Sequence, residues 1–485
     1  MLSWIALAIW PAAAQVTSGW TQFQSDAAHT GVAADGPSPP FTLAWHAAVE
    51  PGGPLGTQGL SEPVVAGDLV IAVAPEEVLA FDLATGAQAW SVPRALGPPA
   101  APAVALIDGR LVLLYTEGWA GHPPEAGATG ATGATGSAGS PGATPATPSP
   151  GDEQEPAGAV DSRLIAIDLE SREPVWDAIE LGEASRSGVT VETDRAYVVD
   201  ILGEVVAIGL ESGTLEWSTS IDRPVVSPPA VAGGVVVVVG RGDADVAGAS
   251  VVGLDAADGT ESWRRDIDLP GIVIPSAPAL SEGLAIVTFS DSTVRAFELG
   301  SGSERWSVRL GATPTPFGSA AALSGGAAFT SDTTSVTGSV YRIDLVSGRL
   351  AWDFALNEPI VRGAPVVSAG ALLVATTDGS LNAFDAATGE RIWRDERTGA
   401  LRSLAPAGPV VIGVRGEPRA GLDAFEPDAR GQLVRETSPT TPNYPMIIVT
   451  FLIAALPVVG LALLGGRLLD ARLGPPFEPD EGEPA

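Results

Sequence analysis

The chain has 485 residues, 45% of them apolar, enough to bury a sizeable core. Its 26 basic residues, every one an Arg, face 58 acidic ones, a formal net charge of −32. Such a surface repels phosphate backbones and anionic lipid, which excludes nucleic-acid binding. Cysteine is absent and His occurs three times, so disulfides, thiolate metal sites and iron–sulfur centres are excluded and a multi-His metal site has too few ligands.

In chain order, residues 1–14 read as a signal peptide: an apolar run from Leu2 to Trp10, then Ala12-x-Ala14 as the small-residue cleavage pattern. Residues 15–40 follow as an N-terminal lead-in. From there to residue 436 one unit recurs eight times, in the hairpins 78–90, 164–176, 205–217, 251–263, 294–306, 340–352, 381–393 and 422–434. Each pairs an apolar strand with an acid, then Gly four residues later, then Trp eight residues later. The acid fails once (Gly209), the Gly twice (Arg172, Arg430) and the Trp once (Val434). The acid can accept hydrogen bonds from the turn, Gly supplies positive φ, and Trp opens an outer strand that packs on the next unit.

A second pair of strands precedes each hairpin, for example residues 364–379. Four strands in each unit of 41–46 residues predict an all-β, eight-bladed β-propeller of four-stranded blades over residues 41–436. The structural Trp set is Trp45, Trp90, Trp176, Trp217, Trp263, Trp306, Trp352 and Trp393. Trp45 stands in Phe41–His46 with no blade before it, while the eighth hairpin lacks its Trp. Residues 41–46 are therefore predicted to be the outer strand of the last blade, which removes a free sheet edge.

The interval from Trp90 to Trp176 is 86 residues, and its excess, 119–158, is a Gly/Ala/Thr/Pro-rich stretch. It reads as a flexible loop between the second and third strands of the second blade. Residues 446–466 carry no charge over 21 residues, long enough for one transmembrane helix across roughly 30 Å of hydrocarbon. Arg467 and Arg472 after the span place the acidic tail, 467–485, in the cytoplasm by the positive-inside rule. The expectation is a single-pass cell-membrane protein with an extracytoplasmic, monomeric propeller.

Chemistry-bearing candidates are few. His29, His46 and His122 have no evident partner for general-base work, so no catalytic residue and no metal ligand is assigned. Aligning the blades puts Arg186, Arg362 and Arg402 at equivalent positions where the chain enters a first strand, at the mouth of the central channel. They could hold an anionic ligand or an acidic peptide, or pair with the chain's own surplus acids.

The repeat resembles the PQQ-like β-propeller family, whose blades end in A-x-D-x-x-T-G-x-x-x-W. Ala80-Phe81-Asp82-Leu83-Ala84-Thr85-Gly86 with Trp90 matches it position by position, as does Ala383 to Gly389 with Trp393. Trp20 to Gly31 resembles the stretch often found before that family's first blade. The resemblance implies one of two branches. Quinoprotein dehydrogenases bind pyrroloquinoline quinone and Ca²⁺, typically with a pair of adjacent Cys, which this chain lacks. The other branch is a non-catalytic scaffold of outer-membrane protein assembly. The expectation is a non-enzymatic scaffold, without cofactor, binding another envelope protein or peptide; the alternative is a quinoprotein dehydrogenase-like oxidoreductase lacking the Cys pair.

Overall fold

A computed structural model describes residues 19–49, 59–118 and 162–437, apart from short breaks at 243–246, 270–273, 312–318, 335–336, 358, 361–362, 396–398 and 417–418. These residues form eight sheets, each of four antiparallel strands, one of them extended by a short parallel strand from the lead-in. Blade 3 is typical: Val189–Glu192, Arg195–Val199, Glu204–Gly209 and Thr214–Ser220, in that order from the centre outward. The two middle strands of each blade read as near-continuous apolar runs, such as Val235–Arg241, because neighbouring blades cover both of their faces.

Every first-to-second-strand connection is two residues long, from Gly67-Asp68 in blade 1 to Gly408-Pro409 in blade 8. Both residues take positive φ at Asp108-Gly109, Gly233-Gly234, Glu282-Gly283, Gly325-Gly326 and Ala369-Gly370. This is the tight hairpin turn whose twist matches that of the strands.

The recurring acid–Gly–Trp motif does two jobs. Within a blade, Asp82 Oδ1 accepts the Thr85 N–H at 2.8 Å and the Thr85 hydroxyl at 2.6 Å, which holds the Asp82 carboxyl below the usual carboxylate range. Between blades, the Trp ring lies on the next blade's turn and its indole N–H donates to a backbone carbonyl there. Trp45 reaches Leu83, Trp176 Leu210, Trp217 Ala256, Trp263 Leu299, Trp306 Leu345 and Trp352 Ala386, at 2.8–3.3 Å. A Cβ on Gly86, which has φ +70°, would come within 2.5 Å of the Trp45 ring. Gly is thus required both by conformation and by space. The two hairpins with Arg in place of Gly are the two left without this lock. Trp90 packs instead on the cluster holding Ile167 and Leu169, and Trp393 meets Phe41 edge to face at 5.4 Å.

Phe41–Ala48 is the outer strand of blade 8, paired antiparallel with Gly421–Pro427. Trp45 therefore occupies the position that the eighth hairpin leaves empty, and the Trp-on-Gly lock runs from blade 8 to blade 1 as between other blades. Beyond Pro427 the chain turns aside. Glu436 bridges Arg391 on the outer strand of blade 7, and Val434 N–H donates to Ile392 O at 3.0 Å.

The lead-in is more than a connector. Residues 20–33 pass round the channel and bond the innermost strands in turn (blade numbers in brackets). The carbonyls of Trp20, Thr21, Ala27, Ala28, Thr30 and Gly31 accept the N–H groups of Val65 (1), Val104 (2), Val231 (4), Leu280 (5), Leu323 (6) and Val367 (7) at 2.7–2.9 Å. Blade 3 is held by a side chain: Gln22 accepts Val191 N–H at 2.8 Å and donates to Val191 O at 3.1 Å. Val32–Ala33 then lies parallel to Val366–Ser368. At the matching place in blade 8 stands Pro406, which has no N–H to satisfy. The circuit serves the seven blades that have a donor.

The predicted signal peptide at 1–14, the insert at 119–158, the 446–466 span and the 467–485 tail lie outside the described residues. Among the described residues no helix is long and apolar enough to cross a membrane.

Replacing Trp45 with Ala removes a 9%-exposed aromatic from the closing strand and should cost about 3–5 kcal/mol. A chain begun at Glu50 loses that strand and the channel thread together, leaving an unpaired edge that aggregates. Denaturant titration and gel filtration check both. A monomeric, equally stable chain from Glu50 would overturn the closure.

Candidate functional site

Strand direction divides the propeller into two unlike faces. One carries the two-residue turns and the locked acid–Gly hairpins, nearly constant from blade to blade. The other carries the connections from second to third strand and from blade to blade, and these vary. Second-to-third connections run from residues 74–76 in blade 1 to 118–162 in blade 2. In repeat proteins, length variation confined to one face marks the face free to specialise.

The long connection starts from a pinned base. Glu117 and Arg163, the residues at its two ends, pair across the strands and form an ion pair at 2.5 Å. Glu117 also accepts Ala95 N–H at 2.9 Å, and Arg94, 7% exposed, donates to Ala74 O and Pro98 O. Burial lowers the Arg94 pKa to about 10, against the pull of Glu117.

Of the candidate arginines, Arg186 and Arg402 lie among the described residues, in blades 3 and 8. Arg186 is exposed in the segment leading to Val189–Glu192 of blade 3. Partial desolvation of its guanidinium, and then the nearby charge of Arg241, lower its pKa. Arg241 ends the second strand of blade 4 and carries no repeat signature, so only the folded chain reveals the proximity. Arg402 is exposed in Leu401–Ala407 of blade 8, its guanidinium beside Gly59 and Gly416. Arg362 lies outside the described residues, as does His122.

The other two histidines are tied into the fold. His29, fully buried in the channel thread, sets Nδ1 3.0 Å from Pro278 O, and Phe23 meets its ring edge on. Facing a carbonyl, Nδ1 must carry the proton. Burial lowers this imidazole to about 4. His46, on the closing strand, lies 2.7 Å from Asp423, which also pairs with the buried Arg415. Arg415 donates to Gly379 O and Gly399 O. This chain of contacts secures blade 8; sequence reasoning missed it because His46 lies 377 residues from Asp423 and Arg415 carries no repeat signature.

The model of one protein family matches residues 42–138, 160–317 and 290–442, most of the propeller. The chain belongs to the family described as outer membrane protein assembly factor BamB. Among curated relatives, BamB of Burkholderia pseudomallei (strain K96243) is 28% identical over 276 residues, 52% of this chain and 68% of the relative. BamB of Moranella endobia (strain PCIT) is 25% identical over 51% of this chain and 56% of its own length. Among solved structures, BamB from Moraxella catarrhalis superposes with a TM-score of 0.55 at 15% identity, covering 80% of this chain and 100% of that one. Quinohemoprotein alcohol dehydrogenase ADHIIG from Pseudomonas putida HK5 gives 0.59 at 11% identity, covering 89% and 83%. At these identities the structural likenesses establish the fold alone.

The residues of this BamB-family propeller do not fit the quinone and Ca²⁺ of the dehydrogenase branch. The chain has no Cys to form the adjacent pair. Among the described residues no three His, Cys, Asp or Glu side chains converge to hold a metal ion. Its central passage is threaded by residues 20–33, whose carbonyls take up the innermost N–H groups.

His29 makes the thread sensitive to acid. The unfolded chain protonates His29 below about 6.5, whereas the folded chain stays neutral down to about 4. Folding stability is therefore lost as pH falls through that window and is unaffected above it, with ~3 kcal/mol as the full extent. Asp26, raised by its own burial, shifts stability in the opposite sense. The comparison must therefore be with a His29→Gln variant. Urea titrations at pH 7.5 and 4.5 should show the wild type losing more stability than the variant on acidification; equal losses would contradict a neutral buried His29.

Proposed function

We propose that this chain is a non-enzymatic propeller scaffold of the cell envelope that binds another envelope protein or peptide through its variable face. The observation carrying this reading is the contrast between faces: eight two-residue turns on one side, connections from 74–76 to 118–162 on the other. Membership of the BamB family supports a role in protein assembly, since its relatives are named as assembly factors. At the channel mouth, Arg186, Arg362 and Arg402, joined by Arg241, are the proposed contacts for an acidic segment of the partner; guanidinium groups suit carboxylates there. Residues 446–466 are the proposed anchor, a 21-residue run without charge, holding the propeller outside the cytoplasmic membrane.

A Cys-free dehydrogenase is the second reading, favoured only by the shared fold of quinoproteins. Function follows from a site rather than from a fold, and the described residues offer neither the Cys pair nor a metal cluster.

Two measurements separate the readings. Cross-linking of the tagged full-length chain in its own cells, followed by mass spectrometry, should capture an envelope protein, and a double Arg186→Glu, Arg402→Glu substitution should reduce that capture severalfold. Calorimetric titration with pyrroloquinoline quinone and Ca²⁺ should give no heat of binding. Micromolar binding accompanied by dye reduction would overturn the scaffold reading in favour of the oxidoreductase.

A further inference from the structure

Blade 2 differs from the other seven in its outer strand. Ile179–Glu180 is two residues long, whereas the other outer strands run from the five of Arg391–Asp395 to the eight of Phe41–Ala48. Trp176 still docks on the turn of blade 3 through Leu210 O. Beyond it, the strand that would cover the flank of blade 3 is interrupted at residues 177–178. A cleft of about 470 Å³ opens there, between Ile179–Glu180 and blade 3.

The lining has an unusual composition. Leu202 and Leu215, 59% and 55% exposed, both line the cleft and together give it an apolar surface. Four carboxylates surround them: Glu180, Glu183, Asp200 and Glu204. No basic residue lines the cleft. Asp200 is fixed in place, because its Oδ1 accepts the N–H groups of Leu202, Gly203 and Glu204 at 2.8–2.9 Å. Those bonds also set the turn that presents Leu202.

We propose that this cleft is a docking groove for an extended, cationic segment of the partner, in which an aliphatic side chain is flanked by Arg or Lys. Charge complementarity selects the occupant. Four like charges round an apolar floor repel one another until a cation enters, and aliphatic side chains of an extended segment laid along the cleft, which runs from Leu202 at one end of the blade-3 outer hairpin to Leu215 at the other, remove that apolar surface from water. An acidic or purely apolar segment satisfies only part of that lining. The groove opens on the variable face, since Glu183 belongs to a blade-to-blade connection and Leu202 to a second-to-third connection. This proposal rests on the scaffold reading and names one surface of it.

The test uses the full-length chain and two fluorescein-labelled synthetic peptides, one alternating three Arg with two Leu, the other replacing each Arg with Glu. Fluorescence anisotropy should show binding of the Arg–Leu peptide only. A Leu202→Ser, Leu215→Ser double substitution, at exposed positions that leave the melting midpoint unchanged, should weaken binding at least tenfold. Glu180→Gln with Glu183→Gln should do the same, whereas Glu298→Gln with Glu304→Gln on blade 5 should leave it unchanged, which separates the groove from the overall negative charge. The proposal is overturned if the wild type does not bind the Arg–Leu peptide, if both peptides bind alike, or if the Leu double variant binds as tightly as the wild type. The same Leu double variant in the cross-linking experiment distinguishes the two ideas. Partner capture by wild type and variant alike leaves the scaffold standing and removes the groove. Absence of any partner on the wild type, with the peptide still bound at Leu202 and Leu215, removes the scaffold reading instead.

Discussion

A ring of eight sheets has to be closed, and here one end of the chain closes it twice. Phe41–Ala48 completes the last blade from outside, and residues 20–33 tie seven blades together from inside. Without the first, Gly421–Pro427 is an unpaired edge; without the second, seven innermost N–H groups face the channel without these partners. The rest of the architecture presupposes both. The Trp-on-Gly locks then act between blades already held in register. Each adds roughly 1 kcal/mol from its indole hydrogen bond, besides the burial of the ring.

The two closures were not equally legible in the sequence. The outer strand was readable because Trp45 stood where a motif should end, in a chain that lacked the motif's last Trp at Val434. The inner thread gave no such signal. Its bonds are made by backbone carbonyls, which every residue possesses, and Trp20 to Gly31 shows no strand alternation. Even Pro406, the counterpart of the seven donors, looks like any strand Pro until the thread is seen to have no bond to make there. The same limit applies to the candidate site. Repeat alignment could put Arg186 and Arg402 at equivalent positions before a first strand, because equivalence is what it reports. It could not place Arg241 beside Arg186, nor expose Leu202 and Leu215 to one cleft, because those depend on how two blades meet. The cleft arises from a shortened strand at Ile179–Glu180, whose Trp176 motif reads as intact.

Function follows from the division of labour between faces. The face of two-residue turns and acid–Gly hairpins is fixed by packing: lengthening a turn or adding a Cβ at Gly86 would break a lock. The opposite face is free of that constraint, and it carries the long connection based on Glu117 and Arg163, the proposed arginine contacts and the acidic groove. The proposed scaffold role calls for this combination of a rigid body and one adaptable surface. The buried His29 and the Arg415–Asp423–His46 chain belong to the rigid part.

The central claim is that residues 20–33 hold the innermost strands as one unit. Native-state hydrogen exchange tests it most directly, on the intact chain and on a chain lacking residues 19–33 that retains Phe41–Ala48. Deletion should lower the protection of Val65, Val104, Val231, Leu280, Leu323 and Val367 together, across blades far apart in sequence. Loss of protection confined to one or two blades, or no loss at all, would contradict the claim.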